Sequence, residues 1–440
     1  MIVAAGESLI DLVPGAPPGS PREGEPGPEP LSGPEPPGGP GALPVLVPRR
    51  GGGPYNTAVA LGRLGADAAF CSRVSTDTFG EALLAGLREA GVATGLVQRG
   101  PEPTTLAVAS VGADGSAGYS FYAEGTADRL FELPGELPET VRAVAFGTCS
   151  LVLEPGASAY DALLRREAGR GVLTLLDPNV RPGLVADADG HRERFVERLP
   201  YVSLLKLSEE DARWLGGSPE EWLAKGPSAV VLTQGAGGLT VFTGGLTVSV
   251  PAVPVAVADT IGAGDTVNAA LLHGLGSRPV AALDAAAWAD LLSFAARASA
   301  VTCSRPGAEP PYAAELVTAD AVLPLHGVPA LVCAPGGPPL AGRRGALDLI
   351  GRAMAGGAGL VVVPVDRLGE DFFSLRTGVA AGIAGTFADQ GVRLAIVGDV
   401  SPRLAASTSL RDFVEAADHE GRIVCAGSFP TLAARLTPLP

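Results

Sequence analysis

The chain opens with four apolar residues, Ile2 to Ala5, and closes them at Gly6-Glu7, the pattern of a short strand buried on both faces. Between residues 104 and 122 polar and apolar positions alternate around Gly112-Ala113-Asp114-Gly115, which predicts a hairpin with one covered face. From 141 to 250 short apolar runs, such as Val172 to Leu176 and Ala229 to Leu232, alternate with helix-length segments. That alternation predicts a parallel α/β sheet with helices on both faces, whose ligands gather beyond the carboxyl ends of the strands. A long Ala-rich amphipathic helix is expected over 281–302. Past a boundary near residue 320 a second, smaller α/β unit is expected, with strands at Ala330 to Cys333, Gly359 to Val363, Arg393 to Val397 and Arg422 to Cys425. Helices there include Leu347 to Ala355 and Val379 to Gln390, and Ser409-Leu410-Arg411-Asp412 reads as a helix cap.

Residues 14–44 break the pattern. They are Pro, Gly, Glu and Ser with almost no apolar anchor, and such a stretch cannot bury enough surface to offset its ordering entropy. A disordered insertion is expected there. At 440 residues the chain is long enough for two domains, and its 46% hydrophobic content suffices for buried cores. A net charge of −15 and a pI near 4.8 argue against nucleic acid or an anionic membrane as partner, because either needs a clustered basic face. Lysine occurs only at Lys206 and Lys225. The five cysteines are scattered and never in Cys-x-x-Cys spacing, so neither a zinc site nor a disulfide framework is expected. The N-terminus lacks a basic leader and no apolar run is long enough to span a bilayer, so a cytoplasmic location is expected.

The chemistry concentrates in Asp259-Thr260-Ile261-Gly262-Ala263-Gly264-Asp265, followed by the helix formers Thr266 to Leu272. Small residues leave backbone amides uncovered, and the helix behind them makes its N-terminus a site for an anion. A carboxylate at Asp265 is placed to take a proton from an attacking hydroxyl while the Gly262, Ala263 and Gly264 amides hold the charge on a transferred phosphoryl group. The plainer reading of the same residues is a glycine-rich turn with Asp265 as a helix cap. Upstream, Gly51-Gly52-Gly53-Pro54-Tyr55-Asn56-Thr57 allows close backbone approach to a ligand, with Asn56 or Thr57 placed to cap a helix that Gly65 ends. There is no Gly-x-x-x-x-Gly-Lys-Ser/Thr loop, and His191, His273, His326 and His419 fall in no metal-ligand spacing.

The heptad resembles the second signature of the ribokinase-like (PfkB) sugar kinases, Asp-Thr-x-Gly-Ala-Gly-Asp, and Gly52-Gly53 with Asn56 resembles the first. The resemblance covers residues 1–318 and implies a ribokinase-like, doubly wound, mostly parallel sheet with a small β lid. It implies Asp265 as catalytic base with the Gly262, Ala263 and Gly264 amides, and ATP with Mg²⁺. Sugar contacts pass to Asp11, in an opening Gly-Glu-x-Leu-x-Asp, and to Gly52, Gly53 and Asn56. Asp177-Pro178-Asn179-Val180-Arg181 is similar to a motif of fructokinases and 2-keto-3-deoxygluconate kinases, with Arg181 on a substrate oxygen or phosphate. The nucleotide side maps to Lys206, Thr233, Gly235, Gly238, Gly264, Gly307 and Ala308. In Lys206-Leu207-Ser208-Glu209-Glu210-Asp211, Ser208 and Asp211 stand where the family has Asn and Glu; Asp211 or Glu210 would organise Mg²⁺ through water, although Ser-x-x-Asp is also a capping box. Asp259 would shape a K⁺ loop. Ser75 replaces the family's usual Gly. Tyr119, Phe121 and Tyr122 are expected in the lid, which also implies a homodimer.

The similarity is strongest to fructokinases, so the expectation is ATP-dependent phosphorylation of fructose at its 6-hydroxyl. 2-Keto-3-deoxygluconate kinase and nucleoside kinase share these motifs. A second class of reading is a sugar- or nucleotide-binding regulator without turnover. The C-terminal unit, 325–440, resembles an uncharacterised bacterial small-domain family through segments such as Val363-Pro364-Val365-Asp366-Arg367-Leu368, and brings no activity with it.

Overall fold

The computed structural model describes residues 1–14, 45–111, 117–325 and 327–436. The proline-rich insertion beyond Pro14, the turn at 112–115 and His326 lie outside the described residues. The chain divides into two compact units, Met1–Gly62 with Ala66–Pro310, and Arg63–Gly65 with Pro311–Pro440.

The first unit holds β1 (Ile2–Ala5), β2 (Leu9–Pro14), β3 (Leu46–Gly51), β4 (Ala68–Ser75), β5 (Val97–Gly100), β6 (Thr105–Val111), β7 (Ala117–Tyr122), β8 (Ala143–Gly147), β9 (Leu173–Asp177), β10 (Leu204–Ser208), β11 (Ala229–Thr233), β12 (Leu239–Thr243) and β13 (Thr247–Val250). Nine of these form one sheet in the order β13-β12-β11-β10-β9-β8-β1-β4-β5. Neighbours are parallel except at the β11-β12-β13 edge. Continuous apolar runs are what a parallel sheet covered on both faces requires, and every residue of β1 is fully buried. On one face Val3, Val144, Leu176, Leu205 and Val230 pack with Tyr160, Leu163 and Leu164 of the helix Gly156–Gly169 and with Phe195 and Trp222.

Strand order reverses between β1 and β8: the chain first builds outward through β4 and β5, then returns to the other side of β1. Diverging connections at such a point leave a crevice beyond the carboxyl ends, the usual ligand position in an open α/β sheet. Gly6-Glu7, Gly147-Thr148 and Asp177 all stand at that edge.

The lid is a separate four-stranded sheet, β3-β2-β6-β7. β6 and β7 pair antiparallel as the alternation predicted, and β2 lies parallel to β6, with Asp11 opposite Arg49 of β3. Alternation puts Tyr119 and Phe121 on one face, ring centroids 6.3 Å apart, and Tyr122 on the other.

The second unit carries β14 (Ala321–Leu325), β15 (Val328–Val332), β16 (Leu360–Pro364), β17 (Arg393–Val397) and β18 (Ile423–Ala426) in that spatial order, parallel except for β14. The helices Gly342–Ala355, Val379–Asp389 and Thr408–His419 cover one face. Two local expectations fail here. β14 was not anticipated, because its apolar run is broken by Pro324, tolerable on an edge strand. Ser409 is not a cap: Ser407 caps the helix by accepting the Leu410 amide, so the helix starts before the Ser-Leu-Arg-Asp pattern.

Candidate active site

Asp265 is the third residue of the helix Ala263–Leu275, whose N-cap Gly262 holds a left-handed φ of +78°. A side chain there would be strained and would also meet Ala308 at 2.7 Å, so glycine is required where the 305–308 loop packs against the turn. Among the described residues no side chain caps this end. Among the described residues the Gly262 and Gly264 amides have no acceptor, whereas the Ala263 amide makes a long 3.3 Å bond to the Thr260 carbonyl. The expected trio of bare donors is therefore a pair, Gly262 and Gly264, with Ala263 held in the turn.

The Asp265 carboxyl is 7% exposed and accepts a 2.9 Å hydrogen bond from Asn56 Nδ2. Burial pushes its pKa up to about 7; Asn56, Lys206 and Arg181 pull it down and the Asp177 carboxylate pushes it further up. Asn56 is thus no helix cap. It lies inside the helix Gly53–Arg63, its amide bonded to the Gly52 carbonyl, and so does Thr57, whose hydroxyl reaches the Asp265 carbonyl at 3.4 Å. The helix stops at Arg63, just before Gly65. Gly53 opens it so close to the site that a Cβ would lie 2.6 Å from Thr148 Oγ1 and 3.2 Å from Asp265 Oδ1. Gly53, Thr148, Asp177, Asp265 and Asn268 line one cleft.

The residues expected on the sugar side come partly from the lid. Burial raises Asp11 to about 6, against the nearby Arg181 guanidinium and with the Asp259 carboxylate. Tyr119 feels Asp11, Asp259 and Arg181 together, so its face of the lid looks on this cluster. Arg181 Nη1 is spent on its own segment, on Asn179 Oδ1 at 2.7 Å and on the Asn179 and Val180 carbonyls. Asn179, at φ +39°, in turn donates to Thr148 Oγ1 at 3.2 Å. The Arg181 Nε and Nη2 groups have no acceptor among the described residues. Gly52 precedes the helix at φ +106°, close over the Glu7 carbonyl. Ser75, in place of the family's glycine, accepts the Asp77 amide, and Asp77 caps the next helix while binding Thr104 at the lid's root.

Of the residues expected to face a nucleotide, Lys206 and Gly264 meet: a Cβ on Gly264 would lie 2.7 Å from Lys206 Nζ. Gly307 donates to Asp259 Oδ2 at 2.9 Å, which ties the 305–308 loop to the heptad. Thr233, Gly235 and Gly238 stand at the end of β11 and after it, and among the described residues no hydrogen bond joins them to the Asp265 cluster. Gln234, between them, donates to Glu209 at 3.0 Å.

The metal candidates fit less directly. Asp211 completes a capping box with Ser208 and accepts the Val180 amide at 2.7 Å, so both its oxygens are engaged, while Glu210 is exposed. Among the described residues no three His, Cys, Asp or Glu side chains are grouped to hold a metal. This donor set fits Mg²⁺ only as an ion held by phosphates and water, with Asp211 acting through water. Asp259 accepts the Thr260, Ile261 and Gly307 amides, an arrangement that clamps two loops and leaves K⁺ to compete with them.

Asn268 escaped the sequence, and Asp177, though it opens the motif that ends at Arg181, carried no role of its own there. The two share a bond at 2.7 Å across 91 positions; the usable signal was Asn268, a polar residue one turn after Asp265 in a mostly apolar helix.

A family model described as pfkB family carbohydrate kinase matches residues 44–314, and one described as Domain of unknown function (DUF4180) matches 325–436. A fructokinase of Rhizobium leguminosarum bv. trifolii is 36% identical over 302 residues, 64% of this chain and 84% of that protein. Fructokinase-1 of Oryza sativa subsp. japonica is 30% identical over 328 residues, 72% of this chain and 95% of its own length. Among solved structures, fructokinase from Xylella fastidiosa with bound ATP superposes with a TM-score of 0.60 at 26% identity, covering 70% of this chain and 93% of that one. Fructokinase from Vibrio cholerae O395 in its fructose, ADP and calcium-bound form gives a TM-score of 0.56 at 23% identity, over 70% and 94%, and shares the fold.

Proposed function

We infer the function from the premise that this chain belongs to the pfkB family of carbohydrate kinases: it transfers the γ-phosphoryl group of ATP to the 6-hydroxyl of fructose. The observation that carries the reading is Asp265, a buried carboxyl with a pKa near 7 at a helix N-terminus whose Gly262 and Gly264 amides are bare. A base that titrates near the working pH combines a useful deprotonated fraction with enough basicity to accept a proton. The fructokinase names of the relatives support the acceptor, and the ATP bound to the Xylella fructokinase supports the donor.

In the transfer the sugar hydroxyl gives its proton to an Asp265 oxygen as its own oxygen bonds the γ-phosphorus. The bond from that phosphorus to the bridging oxygen breaks, and its electron pair leaves on ADP. The Gly262 and Gly264 amides, with the helix behind them, stabilise charge on the transferring group. Mg²⁺ would arrive with the nucleotide, with Asp211 placed to hold it through water, and would neutralise phosphate charge. Asp11, Asn56 and the Gly52-Gly53 backbone orient the sugar, and Tyr119 closes over it from the lid. Asn56 also holds the base, so one residue joins acceptor and catalyst. Tyr122, 63% exposed on the outer lid face, suits a lid-to-lid homodimer, checked by sedimentation of the wild type against Tyr122→Glu.

Arg181 supports a second substrate. Its unused Nε and Nη2 groups suit a carboxylate, so 2-keto-3-deoxygluconate is the acceptor to set against fructose. ADP release from the full-length protein is measured with fructose, 2-keto-3-deoxygluconate, ribose and adenosine, for the wild type and Asp265→Asn. Fructose is expected to give the highest kcat/KM, and the Asn variant to lose at least about 10²-fold in kcat while still binding sugar. Turnover that survives the substitution removes Asp265 as base. An absence of turnover with every acceptor leaves the non-catalytic regulator as the better account.

A further inference from the structure

Lysine is rare in this chain, and one of its two copies is buried in the site. Lys206 ends its side chain 4% exposed between two carboxylates, with the ammonium beside Gly264. Its single hydrogen bond goes to Asp177 Oδ2 at 2.8 Å. An ammonium carries three donors, so two N–H bonds remain without an acceptor among the described residues. Burying a charge this way is costly unless something completes its bonding. What lies next to it is the backbone amide pair that faces an arriving phosphate.

Asp177 is equally enclosed, 3% exposed at the end of β9. Its Oδ2 takes both the lysine and Asn268 Nδ2 at 2.7 Å, while Oδ1 is buried without a partner. Asn268 follows Asp265 by three positions in the same helix, so the carboxylate of Asp177 is fixed to the helix that presents the base. Without that hold the ammonium is left to the other carboxylates that act on it, and an ion pair with Asp265 would make the base weaker and turn the ammonium away from the phosphate.

We propose that Asp177 is a positioning residue for phosphoryl transfer: it tethers the Lys206 ammonium beside Gly264 and off the Asp265 carboxylate, leaving two N–H bonds for oxygens of the transferring phosphoryl group. This rests on the kinase reading above. Asp177 acts through Lys206, whose ammonium its Oδ2 holds at 2.8 Å. The charged and polar groups facing Asp265 are Asn56 from the helix Gly53–Arg63, Asp177 from β9, Arg181 beyond it and Lys206 from β10; Asp211 also acts on Lys206. Asp177 raises the proton affinity of Asp265 and Lys206 lowers it, so the two substitutions must move the base in opposite directions.

The test is steady-state kinetics of the full-length protein with ATP, Mg²⁺ and its best acceptor from pH 5 to 9, for the wild type, Asp177→Asn, Lys206→Met and the double variant. Asp177→Asn is expected to lose about 10-fold or more in kcat at an almost unchanged sugar KM, with the acid limb of kcat/KM moved to lower pH. Lys206→Met is expected to lose at least about 10²-fold in kcat, with that limb moved to higher pH. The double variant should be no worse than Lys206→Met alone, because the first residue works through the second. A limb position does not depend on the folded fraction, so poor recovery of Asp177→Asn leaves it readable; if none folds, Lys206→Met decides by its own limb. An Asp177→Asn enzyme with wild-type kcat and limb, limbs that move the same way, or losses that simply add would overturn the proposal. Those results, with an active wild type and a dead Asp265→Asn, leave the kinase reading standing. A wild type inactive on every acceptor refutes that reading and this proposal with it.

Discussion

At the carboxyl edge of the C-terminal sheet, Asp320 is bonded on every side. Oδ1 accepts the Ala334 amide at 2.8 Å and Arg367 Nη1 at 2.7 Å, and Oδ2 accepts Arg352 Nη1 at 2.8 Å. Burial raises its pKa, but these donors outweigh burial and hold it below the usual carboxylate range. At the carboxyl edge of the nine-stranded sheet, Asp265 has one side-chain donor among the described residues and is pushed up instead. A saturated carboxylate is locked as an anion and pins loops, here those after β15 and β16. An undersupplied one sits between charge states and can exchange a proton. Topology matches the difference: β15 to β18 follow one another without reversal, whereas the order turns back at β1 and β8 and opens a crevice.

Three changes would break or sharpen this contrast. The largest effect is expected from Asp320→Ala, which strands the buried Arg367 guanidinium, 2% exposed, and should destabilise the second unit by about 3–5 kcal/mol in urea denaturation of the whole protein. A cost under about 1 kcal/mol would mean that the pair is not the structural lock described here. Next is the pH profile of the wild type. The proposed base works only without its proton, so on that reading kcat/KM should rise as pH climbs through about 7. A limb near pH 4 would place this carboxylate in the same class as Asp320.

The smallest effect concerns Glu7, buried where β1 hands over to the lid. It accepts the Ser150 amide at 3.0 Å, while burial raises its pKa from 4.5 to about 7. Between those values the folded protein keeps a proton that the unfolded chain has released, so stability falls as pH rises through this window. Glu7→Gln removes that term and should raise Tm at pH 8 by roughly 2–4 °C, with little change near pH 4. Asp265 and Asp11 shift the same way, so the decline in the variant should shrink without vanishing. An equal Tm change at both pH values would point to packing rather than charge.

Much of the architecture was legible because it is local. Val172 to Leu176 and Ala229 to Leu232 lie within one residue of the strands Leu173–Asp177 and Ala229–Thr233, since a run buried on both faces declares itself by continuous apolarity. Ser208 and Asp211 form the capping box their spacing predicts. The failures have different causes, one distant and one local. Asn56 looked like a cap because Asn before a helical run usually is one, and its actual partner is 209 positions away. The Ala263 amide looked bare beside two glycines, and the turn bends it back to Thr260.

Sequence alone therefore determined where apolar runs make strands, where small residues expose amides, and that a carboxylate follows them. How firmly that carboxylate holds a proton was decided by folding. Its proton affinity depends on water excluded by distant segments and on the fields of Asp177, Lys206 and Arg181, which reach it through space and leave no trace in the order of residues around it.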